Sequence, residues 1–484
     1  MIQNLPGELL IKITRYLPYS SDRLHLASCC RRFRLREPIL QEAYTSINVH
    51  YFCEKSLRRL VEILLEAPDL AKRVTSISLA KSKDPPCKSH LSTSHPTQRS
   101  FNQSVSDLID SLTPSDVESK AWMAVATAIP GEECSYLGQD IWLSMLLNCV
   151  PNITSLEMEW GGHTDISERL LAFISLNNGF PCLTEATIQV PFNSGFEFQL
   201  YKIAPFFRLQ SMRKFKGVLI TDLWGQDKVG FANLIPIKSS PIEHIHLVEV
   251  STHNGFMPLI SACRNLKSFT CLTRDGCEYL PYWNYNMNFR PLFIGDYGQS
   301  LISTKDSLEY LCIDLSYPET EYQLGWFGTL TEYTKLRTLH LRLRDLLHLD
   351  LDRIFDYNTD GFEFVYDLPT FISLVDTLPA SLEHLYVSDF QYPFSIGLRE
   401  LEKLVREKDK FTHLRVIDIE GFWQDASKDI HDLANNLRRA CEEVGIKFNI
   451  LHYNIEVEHR GKPEAECEDH WSHEFGDIVE FVFS

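Results

Sequence analysis

One short pattern recurs down this sequence and constrains its fold more than any other feature. It reads L-x-x-L-x-L, with any large apolar residue at the marked positions. Copies begin at Val74 (with Ile77 and Leu79), Ile153 (Leu156, Met158), Leu183 (Ala186, Ile188) and Ile242 (Ile245, Leu247). They continue at Leu266 (Phe269, Cys271), Leu308 (Leu311, Ile313), Leu336 (Leu339, Leu341), Leu382 (Leu385, Val387) and Leu414 (Ile417, Ile419). Met212 and Phe215 form a degraded copy, and Ile446 to Ile450 predict a last strand. The final two apolar positions lie two residues apart, which puts them on one side of a β-strand. Between copies lie segments of helical spacing: 54–66, 141–147, 170–176, 371–378, 398–405 and 433–444. One strand and one helix cannot bury their apolar faces alone, whereas stacked copies share a continuous core. Copies start 30 residues apart from 153 to 183 and 28 apart from 308 to 336, the length of a strand-plus-helix repeat. The expectation is an irregular α/β solenoid with a curved parallel sheet over residues 46–455. A doubly wound α/β domain also alternates helices with strands, and the repeated pattern favours the solenoid.

Three stretches interrupt or end this order. Residues 81–120 are dense in Ser, Thr, Lys and Pro and read as a flexible insertion. Residues 276–300, rich in Tyr, Trp, Asn and Phe, read as an ordered insertion packed on the solenoid. From 456 to 484 the chain is acidic, with nine Asp/Glu against Arg460 and Lys462, and it closes on an apolar run from Ile478 that could serve as a terminal cap.

The N-terminal 1–45 segment differs in kind. Pro6 suits a first helical position, since its missing amide donor would be unpaired there anyway. Glu8 favours the same first turn. Leu9, Leu10, Ile13 and Leu17 recur at helical spacing, and Pro18 ends that helix. Ser20, Ser21 and Asp22 offer caps for the next, with Leu24 and Leu26 as its apolar residues, followed by Cys30 and Phe33. Three short helices in so few residues cannot bury a sufficient core, so part of their apolar surface is placed to meet a partner.

This stretch resembles an F-box, and the matching residues are Leu5, Pro6, Glu8, Leu9, Leu10, Ile13, Leu17, Asp22, Leu24, Leu26, Cys30, Arg32 and Phe33. Arg23 stands where an apolar residue is usual, and the tryptophan often found just after the motif is missing. Together with the repeats, the chain is similar to the leucine-rich-repeat class of F-box proteins, in the irregular form common among fungal ones. The resemblance implies a three-helix F-box that docks a Skp-family adaptor, and through it a cullin-RING ligase, by way of Leu5, Pro6, Glu8, Leu9, Leu10, Ile13, Leu17, Leu24, Leu26, Cys30 and Phe33. It implies a non-catalytic substrate receptor whose repeats hold a target protein. The alternatives are an F-box scaffold acting outside a ligase and, behind it, an α/β enzyme.

Composition narrows the partners. Lys plus Arg number 47 and Asp plus Glu 65, a net charge of −18. That balance opposes nucleic-acid binding, which needs a basic field. No stretch reaches the length of a membrane span. Thirteen cysteines fall without a disulfide framework, which suits reduced thiols in the cytoplasm or nucleus. No nucleophile elbow, phosphate loop or zinc-protease helix occurs. Cys467, His470 and His473 lack the fourth ligand and the spacing of a zinc site, so no metal or cofactor is expected. The remaining candidate is the strand face turned away from the core. There His246, His340, Arg342 and Arg344, with Tyr386 beside them, form a more basic stretch between acidic ends, suited to an acidic or phosphorylated target segment.

Overall fold

The structure is a computed structural model that describes residues 45–50, 54–80, 103–113, 115–127, 136–159, 180–189, 203–222, 235–248, 250–252, 256–273, 294–315, 326–347, 372–388, 394–421, 423 and 427–452. The F-box segment and the acidic tail lie outside the described residues. The chain opens with β1 (Ser46–His50), α1 (Glu54–Glu66), α2 (Pro68–Ala71) and β2 (Ser76–Ala80). Three helices follow, α3 (Gln103–Leu112), α4 (Asp116–Thr127) and α5 (Tyr136–Cys149), then β3 (Ser155–Glu159) and β4 (Glu185–Gln189). Next come α6 (Ala204–Arg208), β5 (Lys214–Val218), β6 (Thr221–Asp222), β7 (His244–Val248), β8 (Ser251–Thr252), α7 (Met257–Ala262) and β9 (Ser268–Thr273). The later part holds α8 (Ile294–Leu301), β10 (Tyr310–Leu315), β11 (Thr338–Arg342), α9 (Leu343–Leu347), α10 (Leu374–Thr377) and β12 (His384–Ser388). It ends with α11 (Phe394–Arg406), β13 (Val416–Gly421), α12 (Lys428–Val444) and β14 (Lys447–His452).

Twelve of these strands form one sheet in the order β1-β2-β3-β4-β5-β7-β9-β10-β11-β12-β13-β14, and β6 pairs with β8 apart from it. Every neighbouring pair is parallel, and among the described residues the sheet is open, with β1 and β14 at its edges. The strands fall where the L-x-x-L-x-L pattern puts them. Its second position makes one continuous register row, from Ile77 and Leu156 through Phe269, Leu311, Leu339 and Leu385 to Ile417. All of these are buried with the helices' apolar residues in one core. The degraded copy has a physical explanation. Gly217 stands at the third apolar position of β5, and a Cβ there would come within 2.4 Å of Ile220 Cδ1. Buried Ile220 takes the space that the third apolar side chain occupies in the other copies.

The residue after the first apolar position builds the sheet's N-terminal rim. Its carbonyl accepts two amides from the next repeat, as Thr75 O does from Thr154 N (2.7 Å) and Ser155 N (3.0 Å). In the early repeats the rim residue is threonine, and its hydroxyl reinforces the step: Thr154 Oγ1 donates to Thr75 O and Thr184 Oγ1 to Thr154 O. From β5 onward the rim alternates in sign through Arg213, Glu243, Lys267, Glu309, Arg337, Glu383 and Arg415. Lys267 Nζ lies 2.6 Å from Glu243 and Arg337 Nε 3.7 Å from Glu383. Such exposed pairs each contribute about 0–1 kcal/mol. Their alternation also works against mispairing, because repeats stacked out of order would set like charges side by side. The serines just before the motif tie repeats together as well: Ser307 Oγ donates to Leu266 O and Ser381 Oγ to Leu336 O.

Three features differ from the sequence expectation. Within 81–120, residues 103–112 and 116–120 are helical, not flexible loop. Val105, Leu108, Ile109 and Leu112 follow helical spacing, and Val105, Ile109 and Trp122 are buried in the core. This pair helps cover α5, which explains why α5 is apolar nearly all round and buried from Ile141 to Leu147. Within 276–300, residues 294–300 belong to a repeat helix, α8. Gly298 brings that helix against the backbone of Phe327, where a Cβ would sit 1.8 Å from the carbonyl oxygen. Tyr297 meets Cys271 there at 3.2 Å. Strand β1, alternating only Ile47 and Val49, was not anticipated.

The last helix shows how the turn back to the sheet is made. Gly445 adopts φ +75° just past α12, and Ile446 N donates to Cys441 O while Gly445 N donates to Glu442 O. This left-handed cap satisfies the final carbonyls and redirects the chain into β14.

Candidate functional site

The helices cover one side of the sheet; the other side carries the residues between the apolar positions. Its central row is set by register, from Ser78 and Glu157 through Thr187, Lys216, His246, Thr270 and Cys312 to His340, Tyr386, Asp418 and Asn449. The face is not uniform. Glu157 and Lys216 are exposed, His246, Thr270 and Cys312 are buried, and His340, Tyr386 and Asp418 are half-buried.

The structure brings His340 and Tyr386 together on adjacent strands, with ring centroids 4.1 Å apart. His340 Nδ1 faces Cys312 Sγ at 3.2 Å. One strand further, His384 Nε2 lies 2.7 Å from Asp418 Oδ2, and Asn449 Nδ2 donates to the other carboxylate oxygen. His246 lies apart from this group, across β9, beside Lys216 and Thr270 in the register.

The charge expected of this stretch is corrected by its burial. Burial first, and the Lys216 charge second, lower His246 to a pKa of about 4. Burial and then the neighbouring His384 lower His340 to about 3. Both imidazoles are therefore neutral at pH 7. Arg342 and Asp345 are each 1% exposed, and the guanidinium forks onto that carboxylate at 2.7 and 3.1 Å. Its fork is engaged within the protein. Arg344 does not extend the row, because the chain leaves the strand after Arg342 and places Arg344 on α9.

The Cys312–His340 contact is not an activated thiol. Burial foremost, with Asp314 adding to it, drives the Cys312 pKa upward, so the thiol stays protonated beside a neutral ring. Tyr386 is also raised, by burial first and then by Glu420. Among the described residues, two buried polar atoms of this patch, His340 Nε2 and Ser388 Oγ, have no hydrogen-bond partner. Both stand on the adjacent strands that carry Tyr386 and Arg342. Among the described residues, no group of three or more His, Cys, Asp or Glu is arranged to hold a metal ion, and no helix is long and apolar enough to cross a membrane.

Sequence reasoning missed Asp345 and the β5 lysines, Lys214 and Lys216. Asp345 was legible as an i,i+3 partner of Arg342 once a helix start was allowed at Leu343. Lys214 and Lys216 were hidden because Gly217 degrades the copy that carries them; Lys214 pairs with Glu185 at 2.9 Å. The eleven N-terminal candidates from Leu5 to Phe33 lie outside the described residues.

Comparison with protein families finds an F-box domain over residues 2–35 and a leucine-rich repeat domain over residues 171–413. The sheet extends beyond the second match on both sides, from Ser46 to His452. No curated protein matches the chain. An F-box match ahead of an open, all-parallel repeat sheet, with half the chain matching the leucine-rich repeat model, places this chain in the family of F-box proteins with leucine-rich repeats.

Proposed function

We propose that the protein is the substrate receptor of an SCF-type ubiquitin ligase. Residues 2–35 dock a Skp-family adaptor, through Leu5, Pro6, Glu8, Leu9, Leu10, Ile13, Leu17, Leu24, Leu26, Cys30 and Phe33, and the adaptor joins the chain to a cullin-RING assembly. The sheet face opposite the helices holds the target, with Tyr386 and His340 at the contact and the buried Arg342–Asp345 pair fixing the end of the strand that carries His340. The chain's own contribution is proximity and orientation; ubiquitin transfer belongs to the other subunits. A complex of this kind would work in the cytoplasm or nucleus, which suits the six described cysteines that are free thiols. The observation that carries this reading is the joining in one chain of an F-box match and an open repeat sheet.

The test compares proteins captured in cells by the wild-type chain with those captured by Pro6→Ala/Leu9→Ala and by Tyr386→Asp. The reading expects the F-box variant to keep the captured targets but lose the adaptor, and those targets to gain ubiquitin only with the wild type. Tyr386→Asp is expected to keep the adaptor and lose the targets. Targets equally ubiquitylated with the wild type and the F-box variant would sink the receptor role. Such targets would instead favour a scaffold acting outside the ligase.

A further inference from the structure

Taking the sheet face opposite the helices as the one that holds the target, we infer that the segment it holds is basic. An Arg or Lys side chain is received beside Tyr386 by Asp314, Asp418 and Glu420. Four adjacent strands place these groups on one side of the sheet. Tyr386 faces His340 on one neighbouring strand and Asp418 on the other, in register. Asp314, Ser388 and Glu420 each stand two residues beyond a member of that row, on β10, β12 and β13, so they share its side. Tyr386, Asp314, Asp418 and Glu420 are all half-buried, within reach of a bound segment.

Arg342 is matched by Asp345 and His340 is neutral at pH 7, so the charges left on this side of the four strands, among the described residues, are carboxylates. Their fields meet at Tyr386, whose pKa is raised by burial first and then by Glu420, Asp314 and Asp418. Lys447 acts on Asp418 from the N-terminal end of β14, whereas Asp314 and Glu420 stand toward the C-terminal ends of their strands. A second observation points to a donor-bearing ligand. Ser388 is 3% exposed, and among the described residues its Oγ and His340 Nε2 have no hydrogen-bond partner. With the His340 Nδ1 hydrogen donated to Cys312, each of the two offers an acceptor to an N–H. A guanidinium carries five N–H donors in a planar fork and stacks on an aromatic ring. One Arg side chain therefore suits the Tyr386 ring, the carboxylates and both acceptors. An acidic or phosphorylated segment would set like charges against Asp314 and Glu420.

The test is capture of a pool of random twelve-residue peptides on the immobilised full chain, with the retained peptides sequenced. Beside it stand Asp314→Asn/Glu420→Gln and a charge-matched control, Glu407→Gln/Asp409→Asn, whose exposed side chains lie in the turn after α11. Peptides kept by the unaltered chain should carry about threefold more Arg plus Lys than the pool, an excess lost in the face variant and kept in the control. Retained peptides rich in Asp and Glu would overturn the basic target. So would an Arg and Lys excess equal in all three chains, or a pool from which nothing is retained. Should the face variant unfold at a lower urea midpoint, Glu420→Gln alone replaces it and is read by the same outcomes. No adaptor takes part in this capture, so its failure leaves the receptor role standing, and loss of that role in cells would leave the peptide preference unchanged.

Discussion

Replacing Asp345 with alanine is expected to destabilise the repeat domain by about 3–5 kcal/mol, the cost of breaking a buried ion pair from one side. The pair lies where β11 gives way to α9, and both side chains are 1% exposed. Asp345 accepts from Arg342 Nε and Nη2, and its backbone carbonyl accepts the amide of Phe327. Removing the carboxylate leaves the guanidinium charge out of water without its bidentate acceptor. Replacing both residues, as Arg342→Met with Asp345→Leu, removes the charges together and should cost less than Asp345→Ala alone. Urea midpoints at pH 7.5 measure both. An Asp345→Ala midpoint within experimental error of the wild type would show that the pair adds nothing to stability.

Acid is expected to weaken this domain well above the range in which carboxylates titrate. His246 and His340 have folded-state pKa values of about 4 and about 3, against about 6.5 for a solvated imidazole. His244 is lowered too, by burial first. For a lowered histidine the unfolded chain binds more protons, so the stability from keeping the ring neutral is complete above about pH 6.5. It is lost as pH falls toward the folded value, at about 1.4 kcal/mol per pH unit for each such ring. Asp418 adds to the same trend at lower pH. Burial alone would raise it, but hydrogen bonds from His384 and Asn449 outweigh burial and hold it below the ordinary carboxylate value. Urea midpoints from pH 7.5 to 5 should therefore fall steeply for the wild type and more gently for His246→Gln/His340→Gln. Parallel curves for the two chains would place the acid sensitivity elsewhere.

These two sites also mark how far the sequence could be read. The strand positions were legible because two apolar residues spaced by one repeat in every copy, and that spacing has one structural meaning once neighbours stack. The end of β11 was not. Leu341 and Leu343 satisfy strand period while Leu343, Leu346 and Leu347 satisfy helical period, so the switch after Arg342 is ambiguous in sequence. Reading the strand one step too far turned Arg344 into a face residue and hid Asp345 as a partner. The charge of the histidines was likewise out of reach, since it depends on burial between strands that are distant in sequence. Helices α3 and α4 were obscured for a simpler reason: the Ser- and Pro-rich residues before Gln103 dominate the composition, although Val105, Leu108, Ile109 and Leu112 carry a helical pattern. The aromatic-rich stretch hid the start of α8 in the same way, its Gly295 and Gly298 reading as loop residues when they mark a close helix-to-backbone approach.

The most direct measurement is co-purification of the full chain with a Skp-family adaptor, beside Pro6→Ala/Leu9→Ala in the same chain. The account predicts a stoichiometric complex with the wild type and none with the variant, while both chains unfold at the same urea midpoint because residues 46–452 carry the sheet. A wild-type chain that leaves the adaptor unbound at micromolar concentrations would contradict it. The chain would then be a repeat protein outside the ligase.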